Sequence, residues 1–205
     1  MMGFYEKDEV CKLSSPKNSI VVIDEKYTYK HPITLVLNEK VSPTGNDFDI
    51  ESSSGVTYFK CRGKGLSVGN DKVFYDNEKN PLFMIRNKFF SVKKKLNIYE
   101  GDRDHKTLGS VIPLSVVDVQ KYNVDFLNKT SGEREQFIVK CDTSDGNSAS
   151  IFYDGGVICK IERKEVSIGT FLSRKSKFTI DIAPGVDTAF ILAVAICYDK
   201  MKNGK

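Results

Sequence analysis

The stretch Pro184–Met201, PGVDTAFILAVAICYDKM, contains the one long apolar run of the chain, unbroken by polar residues from Ala189 to Cys197. As a helix, the roughly fifteen residues from Asp187 to Met201 span about 22 Å at about 1.5 Å per residue. A bilayer core of about 30 Å asks for about twenty apolar residues, so the run is too short to cross comfortably. Asp187 and Asp199 also bracket it closely. Pro184 and Gly185 followed by Asp187 make a helix start, and an acid there suits the positive end of the helix dipole. Phe190, Ile191, Leu192, Val194 and Ile196 then cover every face, and a helix apolar all round must be enclosed. The alternative is a buried strand, to which Val, Ile, Phe and Tyr are suited, although the run exceeds ordinary strand length.

Outward from this run the pattern changes. From Ile20 to Ile182 short alternating apolar segments are cut by Gly, Asn, Asp and Pro, the period-two signal of half-buried strands. In KFTIDI, Phe178, Ile180 and Ile182 share one face while Thr179 and Asp181 take the other. Turn chemistry recurs at close intervals, as in DNEKNP at Asp76, EGDRD at Glu100, NKTSGE at Asn128 and DGG at Asp154. A faint repeat relates VFYDNEKNPLFMIRNKFFSV from Val73 to SIFYDGGVICKIERKEVSIG from Ser150. Repeated hairpins build a meander that curls toward closure. The expected fold is therefore all-β with a central helix: a closed antiparallel barrel around a buried hydrophobic C-terminal helix. Residues 1–18 read as a polar tail or leading loop, and residues 19–203 as a single barrel domain.

The composition agrees with such a domain. Of 205 residues, 40% are hydrophobic and 28% charged, ordinary for a globular chain and unlike a disordered or collagenous one. The net charge of +4 permits an anionic partner and carries no strong nucleic-acid signature. Five scattered cysteines without a C-x-x-C pair suit a reducing compartment. Glu6, Lys7, Asp8 and Glu9 occupy the place of a signal peptide's apolar stretch. Cytoplasmic localisation is expected, peripheral to a membrane or nuclear as further options, with no transmembrane span and a monomeric state. The NKT sequon at Asn128 is read as a turn.

The segment KIERKEVSIGTFLSRKSKFTIDIAPGVDTAFILAVAICYDKM resembles the C-terminal signature of the LURP-one-related family, with a basic ERK, a strand ending IAPGVD, and an apolar helix closing on DKM. Upstream, NPLFMIRNKFFSVKKKLNIYEG is similar to the family's Pro-Leu strand and returning hairpin. The resemblance runs from about Ile20 to Met201. It implies kinship with the tubby C-terminal domain and phospholipid scramblases, hence a barrel of about twelve strands around a central helix. It also implies a role in plant defence or stress signalling, by analogy with membrane-tethered regulators that bind phosphoinositides. Fold kinship does not carry activity with it.

No catalytic constellation emerges. GLSVG, Gly65 to Gly69, matches the G-x-S-x-G nucleophile pattern at Ser67, but that motif works on a strand-to-helix turn and NDKVFYD after it reads as a turn into a strand. His31 and His105 read as solvated loop residues. DTSDGN lacks the ligand spacing of a calcium loop, and no zinc spacing or phosphate-binding glycine framework is present, so neither metal nor cofactor is expected.

Basic clusters remain. Lys93, Lys94 and Lys95 form the most concentrated one, at the expected tip of a hairpin; with Arg174, Lys175 and Lys177 they are the candidates for contacting a lipid headgroup. Each basic residue near an anionic membrane contributes about 1 kcal/mol. Outward Lys and Arg also serve simply to keep strand edges from pairing. The expected function is a non-enzymatic barrel that answers to anionic phospholipid, phosphoinositide in particular, or to a signalling protein. The alternatives are a hydrolase using Ser67 and a carrier holding an apolar ligand inside the barrel.

Overall fold

The computed structural model describes residues 12–40, 47–63, 72–87, 95–114, 121–142, 147–167 and 174–203. Twelve strands, β1 (Ile33–Lys40), β2 (Asp47–Ser52), β3 (Thr57–Gly63), β4 (Lys72–Tyr75), β5 (Pro81–Asn87), β6 (Leu96–Glu100), β7 (Thr107–Pro113), β8 (Lys121–Leu127), β9 (Arg134–Cys141), β10 (Ser148–Tyr153), β11 (Gly156–Ser167) and β12 (Arg174–Ile182), precede one helix, α1 (Thr188–Asn203). Each strand pairs antiparallel with its neighbours in sequence, and β12 pairs with β1 to close the ring. The closing register sets Ile33 opposite Ile182, Leu35 opposite Ile180 and Leu37 opposite Phe178. Those six side chains are all buried, so period-two alternation specifies the register.

α1 fills the lumen. Eight strands leave a barrel interior wide enough only for side chains; twelve leave a wider space, and a helix occupies it. Ala189 to Val194 have no exposed surface, and Cys197 and Tyr198 are as deeply enclosed. A strand here would have no open edge to pair with, because β1 and β12 already complete the ring. Phe190 packs against the Phe126–Phe137 pair, with ring centroids 5.2 and 6.0 Å away. Opposite it β7 carries Gly109, where a Cβ would stand 3.0 Å from Phe190 Cζ and 2.8 Å from the Asp125 carbonyl oxygen. The glycine lets strand and ring approach.

Antiparallel order gives the barrel two unlike rims. At the near rim, where α1 begins, the strands are joined by short turns such as Asp154-Gly155, whose positive φ values of 48° and 78° suit a tight hairpin. The far rim holds the end of α1, and the connections 41–46, 64–71, 88–94, 115–120, 143–146 and 168–173 lie outside the described residues. The repeat seen in the sequence falls on β4–β5 and β10–β11. Phe74-Tyr75-Asp76 and Phe152-Tyr153-Asp154 occupy equivalent turns six strands apart in the ring.

With the lumen occupied by α1, the apolar-ligand carrier loses the cavity it requires. The hydrolase reading also loses its framework. Ser67 lies outside the described residues, but the strands on either side, β3 and β4, are an antiparallel pair, whereas a nucleophile elbow leads from a strand into a helix.

Candidate functional site

The near rim is closed by residues 12–32, which cross over the start of α1. Asp187, with no exposed surface, organises the crossing. Its Oδ1 accepts from the Phe190 backbone N–H at 3.0 Å, capping α1. Its Oδ2 accepts from the backbone N–H groups of Val22, Ile23 and Asp24 at 3.0, 2.6 and 3.2 Å. Burial pushes the Asp187 carboxyl up, and these four donors pull against that by favouring the charged form. Sequence alone marked Asp187 as the helix start; its other partners lie more than 160 positions away.

Asn128 is the second anchor. Only 1% exposed, it accepts at Oδ1 from the Val21 N–H, while its amide nitrogen donates to both Glu135 oxygens at 3.0 and 3.1 Å. The sequon asparagine is thus a turn residue with its nitrogen fully engaged. Further along, Ser14 N–H donates to the Val157 carbonyl at 2.7 Å.

The turn after β4 gives the third. Asp76 Oδ1 accepts from the Glu78 and Asn80 N–H groups, and Oδ2 from the Asn80 side chain, Lys26 and Tyr27. Burial alone would raise its pKa. Hydrogen bonds from Asn80 and the Lys26 ammonium outweigh that and hold it below the usual carboxylate range. Beside it lies a cleft of about 300 Å³ lined by aromatic residues.

Among the described residues, the lipid-contact candidates Lys95, Arg174, Lys175 and Lys177 belong to strand ends at the far rim. Lys93 and Lys94 lie outside the described residues, and Lys95 stands half-buried just before β6. Arg174, Lys175 and Lys177 lie at the start of β12, paired in register with Ser167, Val166 and Lys164 of β11. The two clusters are not brought together: β6 and β12 stand six places apart either way round the twelve-strand ring.

Both rims carry charges of both signs, and basic residues mark several strand ends at the far rim, where Asp47 opens β2. At the far rim Lys72, Lys121 and Arg174 open β4, β8 and β12, Lys40 closes β1, and α1 ends with Lys200 and Lys202 in its last turn. Near-rim turns carry Asp24, Glu25, Asp76, Glu78, Asp102, Asp104 and Asp154, interspersed with Lys26, Lys30, Lys79, Arg103, Lys106 and Lys129. His31 and His105 are both exposed at the near rim. Among the described residues no three His, Cys, Asp or Glu side chains are grouped to hold a metal ion, and no helix is long and apolar enough to cross a membrane.

The profile of the LURP-one-related family matches residues 33–199. Protein LURP-one-related 15 of Arabidopsis thaliana is 25% identical over 199 residues, covering 92% of this chain and 89% of that protein. LURP-one-related 10 of the same plant is 21% identical, covering 90% and 97%. An X-ray structure of an Arabidopsis thaliana protein superposes with a TM-score of 0.63 over 88% of this chain and 98% of that one, at 22% identity.

Proposed function

The chain belongs to the LURP-one-related family, and from that premise we propose that it is a non-catalytic barrel whose far rim docks on anionic, phosphoinositide-containing membrane in stress or defence signalling. The observation that carries this reading is the set of basic strand ends at the far rim. Lys72, Lys121 and Arg174 open three strands there and Lys40 closes a fourth. Basic residues at one rim are drawn toward an anionic surface, whose potential acts within about a Debye length, about 8 Å at physiological salt. Lys93, Lys94, Lys95, Arg174, Lys175 and Lys177 are the contacts proposed.

Two points on opposite sides of a rim would hold the barrel axis upright. One cluster alone would leave it free to tilt. The central helix takes no part in insertion, since its apolar surface is already enclosed.

The test is co-sedimentation with phosphoinositide-containing and neutral vesicles at low and physiological salt, with a Lys93/Lys94/Lys95→Ala variant alongside. Salt-sensitive binding to the anionic vesicles alone, weakened by the triple change, supports the docking rim. Absence of binding to anionic vesicles at low salt removes the lipid reading and leaves a protein-binding scaffold.

A further inference from the structure

At the near rim, residues 26–29 and the turn after β4 enclose the cleft of about 300 Å³, a size at the lower end of small-ligand sites. Tyr27, Tyr29 and Tyr58 line it, with the carboxylates of Asp76 and Glu78 to one side. The Tyr29 and Tyr58 rings meet at 75° with centroids 6.0 Å apart, forming a corner. A cation within about 6 Å of an aromatic centroid is attracted by the ring's quadrupole, and a carboxylate alongside adds a full opposite charge.

The cleft already holds a cation of its own. Lys26 Nζ stands 5.0 Å from the Tyr27 centroid and 3.5 Å from Asp76 Oδ2. The pairing is loose: 3.5 Å is long for a charged hydrogen bond, and the lysine side chain is 53% exposed. Asp76, in contrast, is fixed by two backbone N–H groups and is only 6% exposed. A well-anchored carboxylate among tyrosines, served by a half-exposed, loosely paired ammonium, is a preorganised cation site with a replaceable occupant.

We propose that this cleft binds a small alkylammonium ligand of about the size of choline, and that Lys26 is its resident competitor. The site lies at the opposite end of the barrel from the proposed membrane-docking rim and stands or falls independently of it. A quaternary ammonium fits better than a primary one, because it is weakly hydrated and its methyl groups lie against ring faces without demanding hydrogen bonds. The same group could come from a free solute or from a lipid headgroup, and the two sources are separated by the arms of the test.

The full chain is titrated with choline and, separately, with its neutral isostere 3,3-dimethylbutan-1-ol, following the tyrosine ring resonances by NMR. Saturable shifts of Tyr29 and Tyr58 with choline alone are expected. Lys26→Met, a change at an exposed side chain, should tighten binding about threefold or more, and Asp76→Asn or Tyr58→Leu should weaken it about fivefold or more. Co-sedimentation with phosphatidylcholine vesicles that free choline displaces would identify a headgroup as the source; choline binding without it would identify a solute. Absence of a saturable shift, equal shifts with the isostere, or an affinity unchanged by Lys26→Met overturns the proposal.

Discussion

Asp187 Oδ2 lies 2.6 Å from the backbone nitrogen of Ile23, so the carboxylate that caps the central helix also ties the N-terminal crossing segment to it. One side chain thereby joins lumen and lid. Removing it leaves four backbone donors without their acceptor in a buried place.

Asp187→Ala should therefore cost about 3–5 kcal/mol, well beyond an ordinary helix cap at about 1 kcal/mol. The exposed Asp24, whose side chain accepts from the Lys26 N–H within its own turn, provides the contrast. Asp24→Ala should cost about 1 kcal/mol or less. Urea midpoints of the two variants measure the difference.

Asp76 predicts an acid-sensitive component of stability. Its folded pKa is lowered, so the fold binds its proton less readily than the unfolded chain does. The contribution is complete above the unfolded carboxylate value of about 3.9 and is lost as pH falls from there through the folded value. The stability gap between wild type and Asp76→Asn should be present at pH 6 and shrink steadily below about pH 4. A gap independent of pH would remove the electrostatic account.

At Gly109 the expectation is steric. A methyl group would meet Phe190 on one side and the Asp125 carbonyl on the other. Gly109→Ala should cost about 1–3 kcal/mol as an overpacked site. Trimming the ring in Phe190→Leu should recover part of that loss in the double variant, a non-additivity that thermal unfolding of all four forms would reveal.

Asn128→Asp replaces a donor to Glu135 with a second carboxylate at about the same place. Like charges in a buried contact should destabilise by about 2–4 kcal/mol at neutral pH. One of the pair then has a raised pKa, so the deficit relative to wild type should diminish as acid protonates it. Denaturant unfolding at pH 7 and pH 5 decides the point.

For the basic rim, the separation of the two clusters makes a quantitative demand. Sites without shared partners act additively. The free-energy losses in vesicle binding from Lys93/Lys94/Lys95→Ala and Arg174/Lys175/Lys177→Ala should sum in the sixfold variant, provided both contact one surface.

The architecture was legible in local patterns. Alternation in segments such as KFTIDI fixes strands and their buried faces, and a run apolar on all sides, bracketed by Asp187 and Asp199, has to be enclosed. Period and polarity are written in neighbouring residues. The contacts of the near rim were not legible, because they join residues from distant positions. Asp187 reaches Val22, Ile23 and Asp24; Asn128 reaches Val21; Lys26 meets Asp76; and Tyr29 meets Tyr58. Closure of the ring likewise set β6 and β12 on opposite sides, because strand order round a barrel, and not proximity along the chain, fixes which surfaces are neighbours.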